Sequence, residues 1–184
     1  IEDGTFKNLG GTDMAWVVDN SGNWYGDATT NIEGGTLIST YTAIRNRMEQ
    51  NEHGASGTAI LNVSGGTISG TTSAIWAQAA SVSTTAPATG EINISGGEIG
   101  LINTARSAGA ECMTTISGGT VSSFKGEIGE LAVTGGKITG EVTILTAADE
   151  ETSYVVSGNG QYTSLKNAIA NNSDITLQSN VTLT

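Results

Sequence analysis

Apolar and polar residues alternate along much of this chain. Leu61, Val63 and Ile68 recur thirty-one positions later as Ile92, Ile94 and Ile99, with Ser, Asn or Thr between them. A spacing of two puts successive side chains on opposite faces of a strand, so each segment reads as β-strand with one apolar face. A helical hairpin repeat would place apolar residues at i, i+3 and i+4 instead. Between the apolar positions sits a Gly-Gly pair, a turn signal because glycine tolerates positive φ. Each repeat is therefore predicted to run strand, sharp corner, strand.

The phrase recurs as Ile32-Glu33-Gly34-Gly35-Thr36-Leu37, Val63-Ser64-Gly65-Gly66-Thr67-Ile68 and Ile94-Ser95-Gly96-Gly97-Glu98-Ile99. It continues as Ile116-Ser117-Gly118-Gly119-Thr120-Val121 and Val133-Thr134-Gly135-Gly136-Lys137-Ile138, and Ile1 to Phe6 is a further copy with Asp3 replacing the first glycine. The second glycines fall at 4, 35, 66, 97, 119 and 136, in steps of 31, 31, 31, 22 and 17. Propeller blades need about 40 residues per repeat. A parallel β-helix accommodates steps that shrink, because its strands stack while surplus residues bulge out as loops. Six coils at ~4.8 Å would make a rod roughly 30 Å long. Inside it, Ile1, Ile32, Val63, Ile94, Ile116 and Val133 form one expected ladder, and Phe6, Leu37, Ile68, Ile99, Val121 and Ile138 another. A third, Ala43-Ile44 and Ala74-Ile75, is expected to fail in the next coil, where the same offset gives Ala105-Arg106. Loops are expected over 45–58 and 76–89.

The pattern divides the chain into a repeat region over 1–146 and an appendage over 147–184. Ala147 to Glu151 reads as an acidic linker, and Gly158-Asn159-Gly160 as a turn. Leu165, Ala168 and Ile169 share one helical face behind Ser164, a plausible N-cap. Ile175, Leu177, Val181 and Leu183 then alternate as strand. A short helix followed by strand is expected either to cover the open end of this β-helix or to begin another.

Composition narrows the partners. Seven Lys and Arg against eighteen Asp and Glu give a net charge of −11, which disfavours nucleic acid and anionic membrane surfaces. No apolar run approaches the ~20 residues of a membrane span. Cys112 is the lone cysteine, so it reads as a small buried residue. The lone histidine, His53, lies in a polar stretch and reads as a loop residue.

The Ile-Ser-Gly-Gly-Thr-Ile phrase, with Ala-Ile between copies, resembles the right-handed parallel β-helix repeats of large bacterial surface proteins, especially those of Gram-positive gut bacteria. The fold is similar to that of pectate lyases and of some non-catalytic polysaccharide-binding β-helices. The resemblance implies an all-β, right-handed parallel β-helix of about six coils with a helix-plus-strand C-terminal appendage. It implies an extracellular, cell-surface or cell-wall location, and a monomeric adhesive or structural rod that presents loops to a host surface protein or a glycan; the alternative is a dedicated polysaccharide-binding module, with calcium as an option. Lyases of this fold are expected to set calcium-binding carboxylates beside a base, and glycosidases need clustered carboxylates. In the sequence Arg45 and Trp76 share a register, but no carboxylate joins them. No catalytic residue is therefore assigned, and the chain is expected to be non-catalytic.

Sugars are held by aromatic faces and a few polar groups. Five of the nine aromatics cluster between residues 16 and 76: Trp16, Trp24, Tyr25, Tyr41 and Trp76. The candidate ligand-binding residues are Trp24, Tyr25, Tyr41, Arg45 and Trp76. No cofactor is implied, although calcium is an option for Asp13, Asp19 and Asp27, since hard cations take oxygen ligands. The residues after each second glycine, Thr5, Thr36, Thr67, Glu98, Thr120 and Lys137, read as an outward row. Its two charges set it apart from the unbroken threonine arrays that bind ice.

Overall fold

The Gly-Gly phrase joins two strands in every repeat. A computed structural model of the chain describes residues 1–11, 15–23, 26–49, 57–80, 88–106, 110–127, 131–145, 151–153, 155–157 and 160–162. The strands are β1 (Thr5–Asn8), β2 (Val18–Asn23), β3 (Ala28–Ile32), β4 (Thr36–Ser39), β5 (Thr42–Glu49), β6 (Thr58–Val63), β7 (Thr67–Gly70), β8 (Ser73–Ala80) and β9 (Thr89–Ile94). They continue as β10 (Glu98–Arg106), β11 (Glu111–Ile116), β12 (Thr120–Glu127), β13 (Leu131–Val133), β14 (Lys137–Ile138), β15 (Val142–Leu145), β16 (Glu151–Ser153), β17 (Val155–Ser157) and β18 (Gly160–Tyr162). Among the described residues the chain is all-β, with mostly parallel strands in curled sheets. The appendage's expected helix lies outside the described residues.

Two sheets face each other across the core. One is ordered β3-β6-β9-β11-β13; the other carries β1-β4-β7-β10-β12 and, from the same repeats, β2-β5-β8 leading into β10. Each strand pairs in parallel with its counterpart one repeat away. Ile32 meets Val63 and Val63 meets Ile94, while Leu37 meets Ile68 and Ile68 meets Ile99. Like side chains therefore stack between the sheets, and Ile32, Leu61, Ile92, Ile94 and Ile116 are buried in one continuous core. Each such side chain contributes about 1.5–3 kcal/mol when fully buried, yet a single repeat has no second layer to bury it against. The first rungs differ from the rest: Ile1 and Phe6 are exposed, because β1 is the outer strand of its sheet.

The corner shows why two glycines recur. At Gly35, Gly66 and Gly97 φ is +81°, +86° and +89°. A Cβ on each would lie 2.7–2.8 Å from the carbonyl oxygen of the second glycine one repeat earlier. The first glycine of each later pair packs as closely over the residue before the previous pair, as Gly65 does over Glu33. The space released is used for hydrogen bonds: Thr67 N donates to Gly35 O, Glu98 N to Gly66 O and Thr120 N to Gly97 O, each at 2.9 Å. The coil-to-coil ladder thus passes through the bend unbroken, satisfying backbone groups that a corner would otherwise strand. Asp3 replaces the first glycine in the one copy over which no earlier repeat packs among the described residues, and its carboxylate accepts the Gly4 N–H.

Three expectations need correction. The third ladder does not fail; it shifts. Ile75 pairs with Ile102 rather than with Ala105 or Arg106, and the row continues through Phe124 to Val142. Seven residues separate Ile68 from Ile75 but three separate Ile99 from Ile102, because β10 runs straight through where earlier repeats insert an extra bend. The loops are also shorter than expected, since β5 reaches Glu49 and β8 reaches Ala80. Alternation persists across these stretches, with Asn46, Met48, Ala77 and Ala79 buried. Finally, Glu151 opens β16 rather than ending a linker. It pairs antiparallel with Leu145 and so supplies partners to the outer edge of β15. Beyond it, β17 and β18 pair antiparallel on either side of 158–159, where the turn is expected.

Two buried asparagines link the sheets. Asn46 is fully buried and its amide donates to Ala59 O at 3.1 Å and Glu91 O at 3.0 Å. Asn20 donates to the Asn46 side-chain oxygen at 2.7 Å and to Ile60 O at 2.9 Å, and accepts from Thr30. A buried amide without such partners would cost about 1–3 kcal/mol, so the network ties the sheets where the apolar rows thin out. Cys112 is buried, as expected.

Candidate functional site

One outward row departs from repetition. Along β2, β5, β8, β10, β12 and β15, residues at one register are Asp19, Arg45, Trp76, Asn103, Lys125 and Thr143. They alternate with the buried Ile44, Ile75, Ile102 and Phe124, so the inward pattern fixes the outward direction of their neighbours. Adjacent rungs lie about 4.8 Å apart.

The row's first end is an assembled cluster. Arg45 Nε donates to Asp19 Oδ1 at 2.9 Å and an Nη completes a bidentate pair with Oδ2. Ser21 also donates to Asp19. The Arg45 guanidinium lies 4.6 Å from the centroid of the Trp16 ring, within cation–π range. Trp16 stacks on Trp76 with centroids 6.1 Å apart and an interplanar angle of 24°, and is tilted against Tyr41 at 6.2 Å. Its backbone is held from several sides. Asn8 Nδ2 donates to Trp16 O at 2.8 Å, Ser39 Oγ donates to Ala15 O, and Val17 N donates to Ala43 O at 2.8 Å. The next outward row adds a second ion pair, Arg47 with Glu49.

Electrostatics reinforce this order. Partial burial pushes the Asp19 carboxyl up. The hydrogen bonds from Arg45 and Ser21, with the charges of Arg45 and Arg47, more than offset it and leave the pKa below the usual carboxylate range. Asp19 is thus an anion held against a cation. Side-chain exposure is 19 % for Arg45 and 38 % for Asp19, so the pair sits at the surface within reach of solvent.

The candidates named from sequence now divide. Tyr41, Arg45 and Trp76 come together around Trp16; Trp24 and Tyr25 lie outside the described residues. The reading that no carboxylate joins Arg45 and Trp76 is wrong, since Asp19 occupies the same register. Asp19 precedes Arg45 by 26 residues and not 31, so the repeat period concealed it. Arg45 and Trp76 stand on strands rather than in loops. Of the calcium candidates, Asp19 is engaged by Arg45, Asp27 accepts the Thr58 N–H at 2.8 Å, and Asp13 lies outside the described residues. Among the described residues, no group of three or more His, Cys, Asp or Glu could hold a metal ion. Trp16 is not a candidate ligand residue by sequence; it lies in the first repeat with no aromatic counterpart 31 residues on, and only the fold reveals its position.

Comparison with protein-family models, curated proteins and solved structures finds no match to this chain.

Proposed function

We propose that this chain is a right-handed parallel β-helix serving as a non-catalytic rod of a secreted or cell-surface bacterial protein, and that its outward aromatic and arginine row holds a glycan. The handedness is what the resemblance of the Gly-Gly repeat phrase implies. Register pairing of successive repeats supports the coiled architecture. The observation that carries the functional reading is the Trp16–Trp76 stack, with Tyr41 and Arg45 against it, on a strand face continuous with Asn103. Aromatic faces flanked by a few fixed polar groups are what sugar rings bind to. The non-catalytic reading rests on the ion pairs. Asp19 is committed to Arg45 and Ser21, and Glu49 to Arg47, so neither is poised as an acid or a base.

A glycan array probed with the wild-type chain and with Trp76→Ala, in calcium and in EDTA, tests this. The expected result is binding to one glycan class that falls at least tenfold in Trp76→Ala and survives EDTA. Binding lost in EDTA would move the site to a calcium centre. Binding unchanged in Trp76→Ala, with lowered stability, would reduce the aromatic cluster to packing.

A further inference from the structure

We infer that the Asp19–Arg45–Trp76–Asn103 row selects uncharged sugars and rejects uronates and other anionic glycans. The inference rests on the glycan-binding reading above and adds the class of ligand.

Arginine on a sugar-binding face ordinarily favours acidic sugars, since its planar fork matches a carboxylate bidentately. Here the side-on edge of that fork is already filled. Nε and an Nη of Arg45 bind the two oxygens of Asp19, and one guanidinium face lies over Trp16. Arg47, the other arginine on this face, is paired with Glu49. The four groups sum to zero charge, so no uncompensated arginine remains to attract an anion.

A carboxylate arriving at Arg45 meets Asp19 at the adjacent rung. It would have to share the guanidinium against a like charge about 5 Å away or expel Asp19 into a position without a counterion. Asp19 resists protonation, which is the simplest way of relieving that repulsion. The chain's net charge of −11 opposes the same ligand at longer range, weakened by salt. Lys125 lies two rungs beyond Trp76, about 10 Å along the row, at the far end from the Arg45 site. An uncharged sugar meets none of these obstacles. It can stack on the aromatic surface and hydrogen-bond to the polar edge formed by Asn103.

The test prints uronate-containing glycans beside their methyl-esterified forms, with neutral β-linked hexaoses, and probes them with the wild-type chain and with Asp19→Asn. Asparagine keeps the shape of the side chain and releases the charge of Arg45. The wild type is expected to bind neutral or esterified forms at least tenfold better than the matching acids. Asp19→Asn is expected to narrow that gap threefold or more at low salt, through a gain on the acids. Wild-type binding to acids equal to or stronger than to their esters overturns the inference while leaving the glycan site standing. An unchanged preference in a folded Asp19→Asn chain also overturns it. Absence of binding to every glycan overturns the glycan-binding reading, and this inference with it. Should Asp19→Asn fail to fold, the wild-type comparison of acids with esters decides alone.

Discussion

Two outward rows on the two sheets follow opposite rules. On the five-stranded sheet Asn31, Asn62 and Asn93 occupy one register, and each amide donates to the one before it, at 2.9 and 3.1 Å. On the other sheet Asp19, Arg45, Trp76, Asn103 and Lys125 occupy one register and no two are alike. Identical residues stacked at ~4.8 Å can satisfy one another, so repetition is what parallel strands in register favour. In the unlike row one adjacent pair, Asp19 and Arg45, is joined by charge, and no residue type recurs from rung to rung. On the glycan-binding reading proposed above, the rest of its composition follows from what it meets in solution. In a repeat protein the departure from the repeat therefore marks the surface to question.

Substitutions can break this contrast, and the largest effect is expected inside. Ile75 and Trp76 are consecutive on β8 and face opposite ways. Ile75 is fully buried between Ile44 and Ile102. Ile75→Ala should cost about 2–5 kcal/mol in urea unfolding, with the aromatic cluster intact by near-ultraviolet circular dichroism. Next comes the corner. Gly97→Ala forces a side chain into φ +89° and onto Gly66 O, a loss of about 2–3 kcal/mol. The same change at Gly11, whose Cβ would meet nothing, should lie within about 0.5 kcal/mol of wild type.

The electrostatic effect is also small. Asp19 has a folded pKa below its unfolded value near 3.9. The stability it contributes is present above that unfolded value and is lost as pH falls through the folded one. The pair is solvent-exposed, so the contribution is under about 1 kcal/mol. Unfolding curves of wild type and Asp19→Asn should differ slightly at pH 7 and converge at the acid end. A gap that widens on acidification would contradict the pairing with Arg45.

How much of this was legible in the sequence depends on the repeat. Where the period held at 31, alternation and the Gly-Gly phrase gave strands, corners and two of the ladders directly. Where a repeat shortened, fixed offsets misled. Ile102 replaced the expected Ala105-Arg106 because residues were removed at a bend and not at a strand end. The site was half legible for the same reason. Arg45 and Trp76 share the period, whereas Asp19 and Trp16 belong to a first coil of different spacing and become neighbours only through pairing with β5. Strand direction also mattered, since residues read as loop proved to alternate in and out of a sheet.

The most direct measurement pairs Asn62→Ala with Trp76→Ala and records melting temperature and glycan binding for both. If repetition serves the fold and departure serves the ligand, the two variants must part. Asn62→Ala should lose about 1 kcal/mol of stability and keep wild-type binding. Trp76→Ala should lose at least tenfold in binding while melting no lower than Asn62→Ala. The account is contradicted if Trp76→Ala melts well below Asn62→Ala and binds glycan as the wild type does.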